Sequence, residues 1–334
     1  MSIEHFLQVE ENLRLALEQG TLPDVQRAHN CSQEMLLGIF RAQIISRQCD
    51  LQARHMQAQG QGYYTIGSSG HEGMACVAAA LRINDMAFLH YRDGAFLAMR
   101  ALMADYDPIE DILKSVACAK DDPISGGRHK VLGSKPLFIP PQTSTIASHL
   151  PKAVGAAFSI GLAGKTRHVN QVLEKDAIIL ASFGDASLNH ASAQTALNCA
   201  GWIGHQKLPL PILFVCEDNT IGISTKTPHG WVEANLASRG HIEYFSANGC
   251  DVYDCYDAAL SAQEYVRKNR APAILHLKLV RLFGHAGSDV EASYLPAQTI
   301  TQWQAKDPLL YSASALINSG MGADAIWKIY TILA

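Results

Sequence analysis

A chain of 334 residues, 48% hydrophobic and 17% charged, holds enough apolar material for one large core or two small ones. Its formal charge of −4, with no dense Lys/Arg cluster among aromatics, removes any electrostatic case for nucleic acid. No apolar run reaches bilayer length, the acidic start MSIEHFLQVEENLRLALEQG is not a secretion signal, and the eight cysteines form neither a C-x-x-C pair nor a zinc spacing, so a cytoplasmic protein with reduced thiols and no membrane segment is expected.

Residues 1–60 have helix-compatible spacing, with Ser32–Gln59 the longer piece, and read as a packing or subunit-contact arm. Gly60–Gly70 is turn-rich and leads to a helix at about His71–Leu81. His71 and Glu72 at its start read first as capping and dipole partners, with pocket lining as the other reading. Met86–His90 predicts a strand, followed by Tyr91-Arg92-Asp93-Gly94 and a helix over Ala95–Met103. An arginine at a strand end suits a bidentate phosphate contact beside a tyrosine hydroxyl, although most surface arginines pair with an acid. Pro108–Cys118 predicts a helix, and Asp121–Pro141, holding Gly126-Gly127-Arg128-His129-Lys130, a long irregular loop. Gln142–His149 then leads into a helix over Pro151–Leu162; Ser144 and Ile146 are site residues or, equally compatible with the pattern, a turn hydroxyl and a core aliphatic.

Ala177–Thr225 organises the rest. Ala177–Phe183 is a strand-length apolar run, Gly184-Asp185-Ala186-Ser187 breaks it, Ala191–Gly204 has helical spacing, Pro211–Cys216 is a second buried strand, and Glu217-Asp218-Asn219 ends it. In an open parallel sheet ligands bind beyond the carboxyl ends of the strands, so Asp185 and Asn219 project into one crevice. A carboxylate and an amide oxygen there suit a hard divalent ion, and Mg²⁺ so placed usually takes a diphosphate as its other ligand. Further on, Cys250–Tyr256 predicts a strand, Asp257–Asn269 a helix, and Pro272–Phe283 a long strand ending in Gly284-His285-Ala286-Gly287-Ser288-Asp289, whose histidine is placed for chemistry or for solvent. Thr299–Asn318 and Gly322–Leu333 look helical, and no repeat or linker forces a second domain.

Three of these pieces resemble one family in the right order, over about Tyr63 to Leu310. Gly184-Asp185-Ala186 through Glu217-Asp218-Asn219 resembles the thiamine-diphosphate motif, which opens Gly-Asp-Gly and closes Asn-Asn. His90-Tyr91-Arg92 and Arg281–Asp289 (RLFGHAGSD) resemble the Tyr-Arg pair and histidine loop of the alpha subunit of the decarboxylating component of 2-oxo acid dehydrogenase complexes. Gly127-Arg128 and the stretch Thr145–Ala157 are most similar to the branched-chain (2-oxoisovalerate) type; pyruvate and acetoin dehydrogenase alpha subunits share the diphosphate motifs.

The resemblance implies an α/β thiamine-diphosphate-binding fold: a mostly parallel sheet with helices on both faces over residues 61–295, a helical arm over 1–60 and a helical extension over 296–334. It implies that the Asp185 and Asn219 side chains and the Ile221 carbonyl bind Mg²⁺. Tyr91, Arg92, Gly184, Ala186 and Ser187 would contact the diphosphate, Ser144 and Ile146 the aminopyrimidine, and His285 the diphosphate and the reacting carbon. A monovalent cation, K⁺, is expected near Ser148 and His149. The implied reaction is decarboxylation of a 2-oxo acid with transfer of the acyl group to the lipoyl arm of an acyltransferase component. A beta subunit, or a fused beta half, would supply the glutamate that activates the cofactor, for which this chain has no counterpart; an alpha2beta2 assembly follows. A non-catalytic scaffold of the same fold is the competing reading. Ala186 and Asp218 depart from the motif without touching the expected metal ligands, the longer gap between its halves falls in Gly204–Leu210, and Ala286 stands where mammalian relatives carry a phosphorylated serine.

Overall fold

Alternation along three short apolar runs decides the architecture. Successive side chains of a strand point to opposite faces. Ile179, Ala181 and Phe183, with Ile212, Phe214, Cys216 and Ile274, belong to one buried cluster; Leu180, Leu213, Val215, Ala273, Leu275 and Leu277 belong to another. Apolar residues on both faces are the signature of a parallel sheet covered on both sides. The computed structural model, which describes residues 3–25, 31–63, 65–128, 131–142, 144–163, 166, 172–287 and 289–334, has that sheet. Its strands are β1 (Met86–Phe88), β2 (Ile179–Gly184), β3 (Ile212–Asp218), β4 (Glu243–Asn248) and β5 (Ala273–Lys278), in the order β1-β2-β3-β5-β4 with every neighbouring pair parallel.

Helices Leu150–Ala163 and Ala191–His205 cover one face. The other carries Gln33–Ala58, Met74–Ala79, Gly94–Met103, Val252–Asn269, Pro308–Asn318 and Ala323–Leu333. The helix expected in an N-terminal arm is thus part of the core: Ile39, Phe40, Ala42 and Ile44 are fully buried. Ser32 starts it by accepting the Met35 amide at 3.1 Å. No described helix is long and apolar enough to cross a membrane.

Several element expectations are corrected. Cys250–Tyr256 is not a strand, because the Asp251 carboxylate accepts the Tyr253 and Asp254 amides and starts the helix Val252–Asn269 there. The strand lies earlier, at the more polar Glu243–Asn248 on the sheet edge. The long strand expected over Pro272–Phe283 stops at Lys278, and the buried residues after it pack against the Gly70 turn instead. That turn also shortens the His71–Leu81 helix to Met74–Ala79: Gly70 has φ +97°, and a Cβ on it would lie 2.2 Å from the Val280 carbonyl oxygen. Pro308 splits Thr299–Asn318 into Ala297–Gln304 and Pro308–Asn318. The Asp121–Pro141 loop holds an antiparallel pair, Leu132–Ser134 with Ile139–Gln142, whose second strand ends one residue beyond it. His129, Lys130 and Ser288 lie outside the described residues.

Candidate active site

Strands β2 and β3 pair as far as Gly184 opposite Glu217, so the two halves of the sequence motif leave the sheet side by side. Asp185 opens a tight turn over Asp185–Asn189, and Asn219 leads into a two-stranded hairpin, Ile221–Gly222 with Thr225–Lys226. Thr227 ties the halves together: its amide donates to the Thr220 carbonyl at 2.9 Å and its hydroxyl to the Asp185 carboxylate. Ala186 and Gly222 also meet there, since a Cβ on Gly222 would lie 2.6 Å from the Ala186 methyl. The methyl that replaces the motif's second glycine is therefore accommodated by the missing side chain at Gly222. Gly222→Ala should weaken Mg²⁺-dependent cofactor binding, and adding Ala186→Gly should restore it, as a calorimetric comparison of the two variants would show.

Both expected ligands are buried, at 2% and 5% exposure for Asp185 and Asn219. Burial first, then the charge of Asp218, pushes the Asp185 carboxyl up to about 6, against hydrogen bonds from Thr227 and the Ala186 amide. Among the described residues no lysine or arginine pairs with it, so the site lacks the positive charge a buried carboxylate needs. Asp218 is held by His276 Nε2, from which it accepts at 2.9 Å, and by the Thr220 amide at 3.0 Å. Its departure from the motif thus pins the loop.

Beneath the two ligands lies a polar layer that the sequence concealed. By strand alternation Ser182 and Glu217 face the same side as Leu180 and Val215, and both are buried. Glu217 Oε2 is 2.6 Å from His71 Nδ1, its Oε1 is 3.2 Å from His90 Nδ1, and the Ser182 hydroxyl donates to Asp93. Neither His71 nor Glu72 caps the helix after them: His71 contacts Asn219, and Glu72 binds Arg47 and the Gly70 amide. Nitrogen and carboxylate atoms of His71, His90 and Glu217 lie within 4.8 Å of one another. The His71–Glu217 contact at 2.6 Å is a hydrogen bond, closer than the about 3.3 Å between neighbouring ligands of a tetrahedral zinc. An acidic residue inside the otherwise apolar run PILFVCE was the available signal.

Arg92 is buried at the end of β1. It donates to the Gly67 carbonyl at 2.6 Å, to His285 Nδ1 at 3.0 Å and to the His285 carbonyl at 3.1 Å, and no carboxylate among the described residues pairs with it. A guanidinium only donates, so His285 Nδ1 accepts and a neutral ring keeps its proton on Nε2. Burial, reinforced by Arg92 and Arg281 and opposed by Asp289, lowers His285 to about 4, so the ring is neutral at pH 7. The loop closes on itself through Asp289, which accepts the His285 amide at 2.5 Å and the Tyr294 hydroxyl at 2.5 Å. The Tyr91 ring stands edge-on to His285 with centroids 6.3 Å apart. Gly184 faces the His90 ring, Ala186 is exposed, and Ser187 and Ile221 are buried.

Ser144 is half-buried and Ile146 is 44% exposed, so Ile146 is not a core aliphatic. The loop carrying them is anchored by His149, whose Nε2 donates to the Ser182 carbonyl at 2.7 Å. Burial lowers His149 to about 4, and the Ser182 contact opposes it. A histidine depressed on folding binds its proton more readily in the unfolded chain, so it costs stability as pH falls from about 6.5 to about 4. His149→Gln, which keeps a donor for Ser182, should remove on the order of 3 kcal/mol of that acid-side loss in urea unfolding at successive pH values.

Comparison with known proteins places the chain in a family. The model of the dehydrogenase E1 component family matches residues 40–330. The chain is 26% identical over 313 residues to the 2-oxoisovalerate dehydrogenase subunit alpha, mitochondrial, of Mus musculus, covering 92% of this chain and 66% of that protein. It is also 26% identical over 309 residues to the 2-oxoisovalerate dehydrogenase subunit alpha of Bacillus subtilis, covering 90% of this chain and 87% of that one. That family's model spans most of the chain, so the chain belongs to the dehydrogenase E1 component family.

Proposed function

We propose that the chain is the alpha subunit of a 2-oxo acid dehydrogenase E1 component of branched-chain type, and that it holds Mg²⁺ and thiamine diphosphate in a site completed by a beta subunit or fused beta half. A charge pattern carries the reading. Asp185 is a buried carboxylate without a cationic partner, and Arg92, on the neighbouring strand end, is a buried guanidinium without a carboxylate partner among the described residues. A magnesium ion and a diphosphate offset both charges at once.

Asp185, the Asn219 side-chain oxygen and the Ile221 carbonyl would hold the metal. Arg92 and Tyr91, with Gly184, Ala186 and Ser187, would bind the diphosphate, and Ser144 and Ile146 the aminopyrimidine. Bound there, the cofactor supplies the electron sink for losing CO₂ from a 2-oxo acid. His285 is neutral, with its proton on Nε2, and Arg92 fixes its ring; it can donate that proton where negative charge develops. The acyl group would go to the oxidised lipoyl arm of an acyltransferase component, whose disulfide takes up the two electrons and opens to the acyl thioester and a thiol, within an alpha2beta2 assembly.

The test is turnover of 2-oxoisovalerate, pyruvate and acetoin by the chain alone and by the complex with its beta partner. Activity with 2-oxoisovalerate only in the complex is expected. Decarboxylation by the chain alone would contradict the shared site, and a complex without Mg²⁺-dependent cofactor binding would favour a non-catalytic scaffold.

A further inference from the structure

The Ile221 amide donates to the Asn219 side-chain oxygen at 3.1 Å. A backbone N–H can only donate, so this contact decides which end of the Asn219 amide is oxygen. Its NH₂ end faces His71 Nε2 at 2.9 Å, and that nitrogen must therefore accept. An imidazole accepting at Nε2 carries its proton on Nδ1, which lies 2.6 Å from Glu217 Oε2. Each of these three contacts pairs a donor with an acceptor, and Asn219, His71 and Glu217 are all buried.

We propose that His71 is a positioning residue for the metal: braced by Glu217, it holds the Asn219 amide so that the oxygen faces Mg²⁺. The amide oxygen has two lone pairs, one used by Ile221 and one left for a cation. Without an acceptor at His71 the buried NH₂ end loses its partner, and a rotated amide would present N–H groups to the cation. The inference rests on the reading of Asn219 as a metal ligand.

Two substitutions separate positioning from packing. A glutamine amide reaches the Nε2 position of histidine, and an asparagine amide the Nδ1 position. His71→Gln keeps the acceptor for Asn219 and gives up Glu217; His71→Asn keeps Glu217 and gives up Asn219. Calorimetric titration of Mg²⁺ into the assembled complex with thiamine diphosphate is the readout. His71→Gln should stay within about threefold of the unaltered complex, and His71→Asn should need roughly 10- to 100-fold more Mg²⁺. Equal losses in both, a loss confined to His71→Gln, or no loss in His71→Asn would overturn the positioning role while leaving the metal reading intact. Absence of Mg²⁺-dependent binding in the unaltered complex would overturn both. If neither variant assembles, neutron diffraction from the unaltered complex decides: a proton on His71 Nδ1 supports the role, and one on Nε2 overturns it.

Discussion

Asp185→Asn is expected to raise the thermal stability of the free chain while removing Mg²⁺-dependent binding of thiamine diphosphate by the complex. The two effects have one cause. Asp185 is buried with a hydroxyl and an amide as its partners and no lysine or arginine, so its ionised form is costly until a cation arrives. A neutral isostere removes that cost, worth about 1 kcal/mol or more. It also removes the charge that attracts the metal. Breaking a buried charge pair costs about 3–5 kcal/mol, or roughly 10²- to 10⁴-fold in affinity. Differential scanning calorimetry of the free chain and titration calorimetry of the complex check the two halves. A variant that loses stability and keeps its cofactor would contradict the account.

Arg47→Ala should be the most destabilising single change outside the site. The Arg47 guanidinium is 2.6 Å from Glu72 and forms two hydrogen bonds to Asp307, at 2.8 and 3.0 Å, with all three side chains buried. It ties the helix Gln33–Ala58 to the turn before Met74 and to the helix starting at Pro308, which Asp307 also caps through the Leu309 amide at 3.0 Å. Truncation leaves two carboxylates buried without their cation, a loss of about 3–5 kcal/mol in equilibrium urea unfolding. A loss below about 1 kcal/mol, the range of exposed pairs, would contradict the view that these helices are one core with the sheet. Arg47→Lys should recover only part, because an ammonium cannot match the planar fork across two acids.

The central βαβ unit was legible because its strands are short apolar runs cut off by Gly184-Asp185 and Glu217-Asp218-Asn219. Adjacency of Asp185 and Asn219 follows from parallel pairing of neighbouring strands, and the structure has that pairing. The Arg92–His285 contact, by contrast, joins residues 193 positions apart, and the His71–Glu217 contact residues 146 apart. Periodicity carries no information at such separations. It also misjudged β4, whose edge position leaves Glu243, Ser246 and Asn248 exposed and polar. Leu279, Val280, Leu282 and Phe283 looked like more strand because burial against a turn and burial in a sheet select the same residue types. Ile146 was ambiguous for the opposite reason: nothing local distinguishes an exposed isoleucine from one in a core.

The most direct measurement is anomalous diffraction from crystals of the assembled complex with thiamine diphosphate and Mn²⁺ in place of Mg²⁺. The account predicts one strong peak at the carboxyl ends of β2 and β3, bonded to Asp185, the Asn219 side-chain oxygen and the Ile221 carbonyl, with a diphosphate between it and Arg92. A peak among His71, His90 and Glu217, or a cofactor bound with no metal at Asp185, would contradict it.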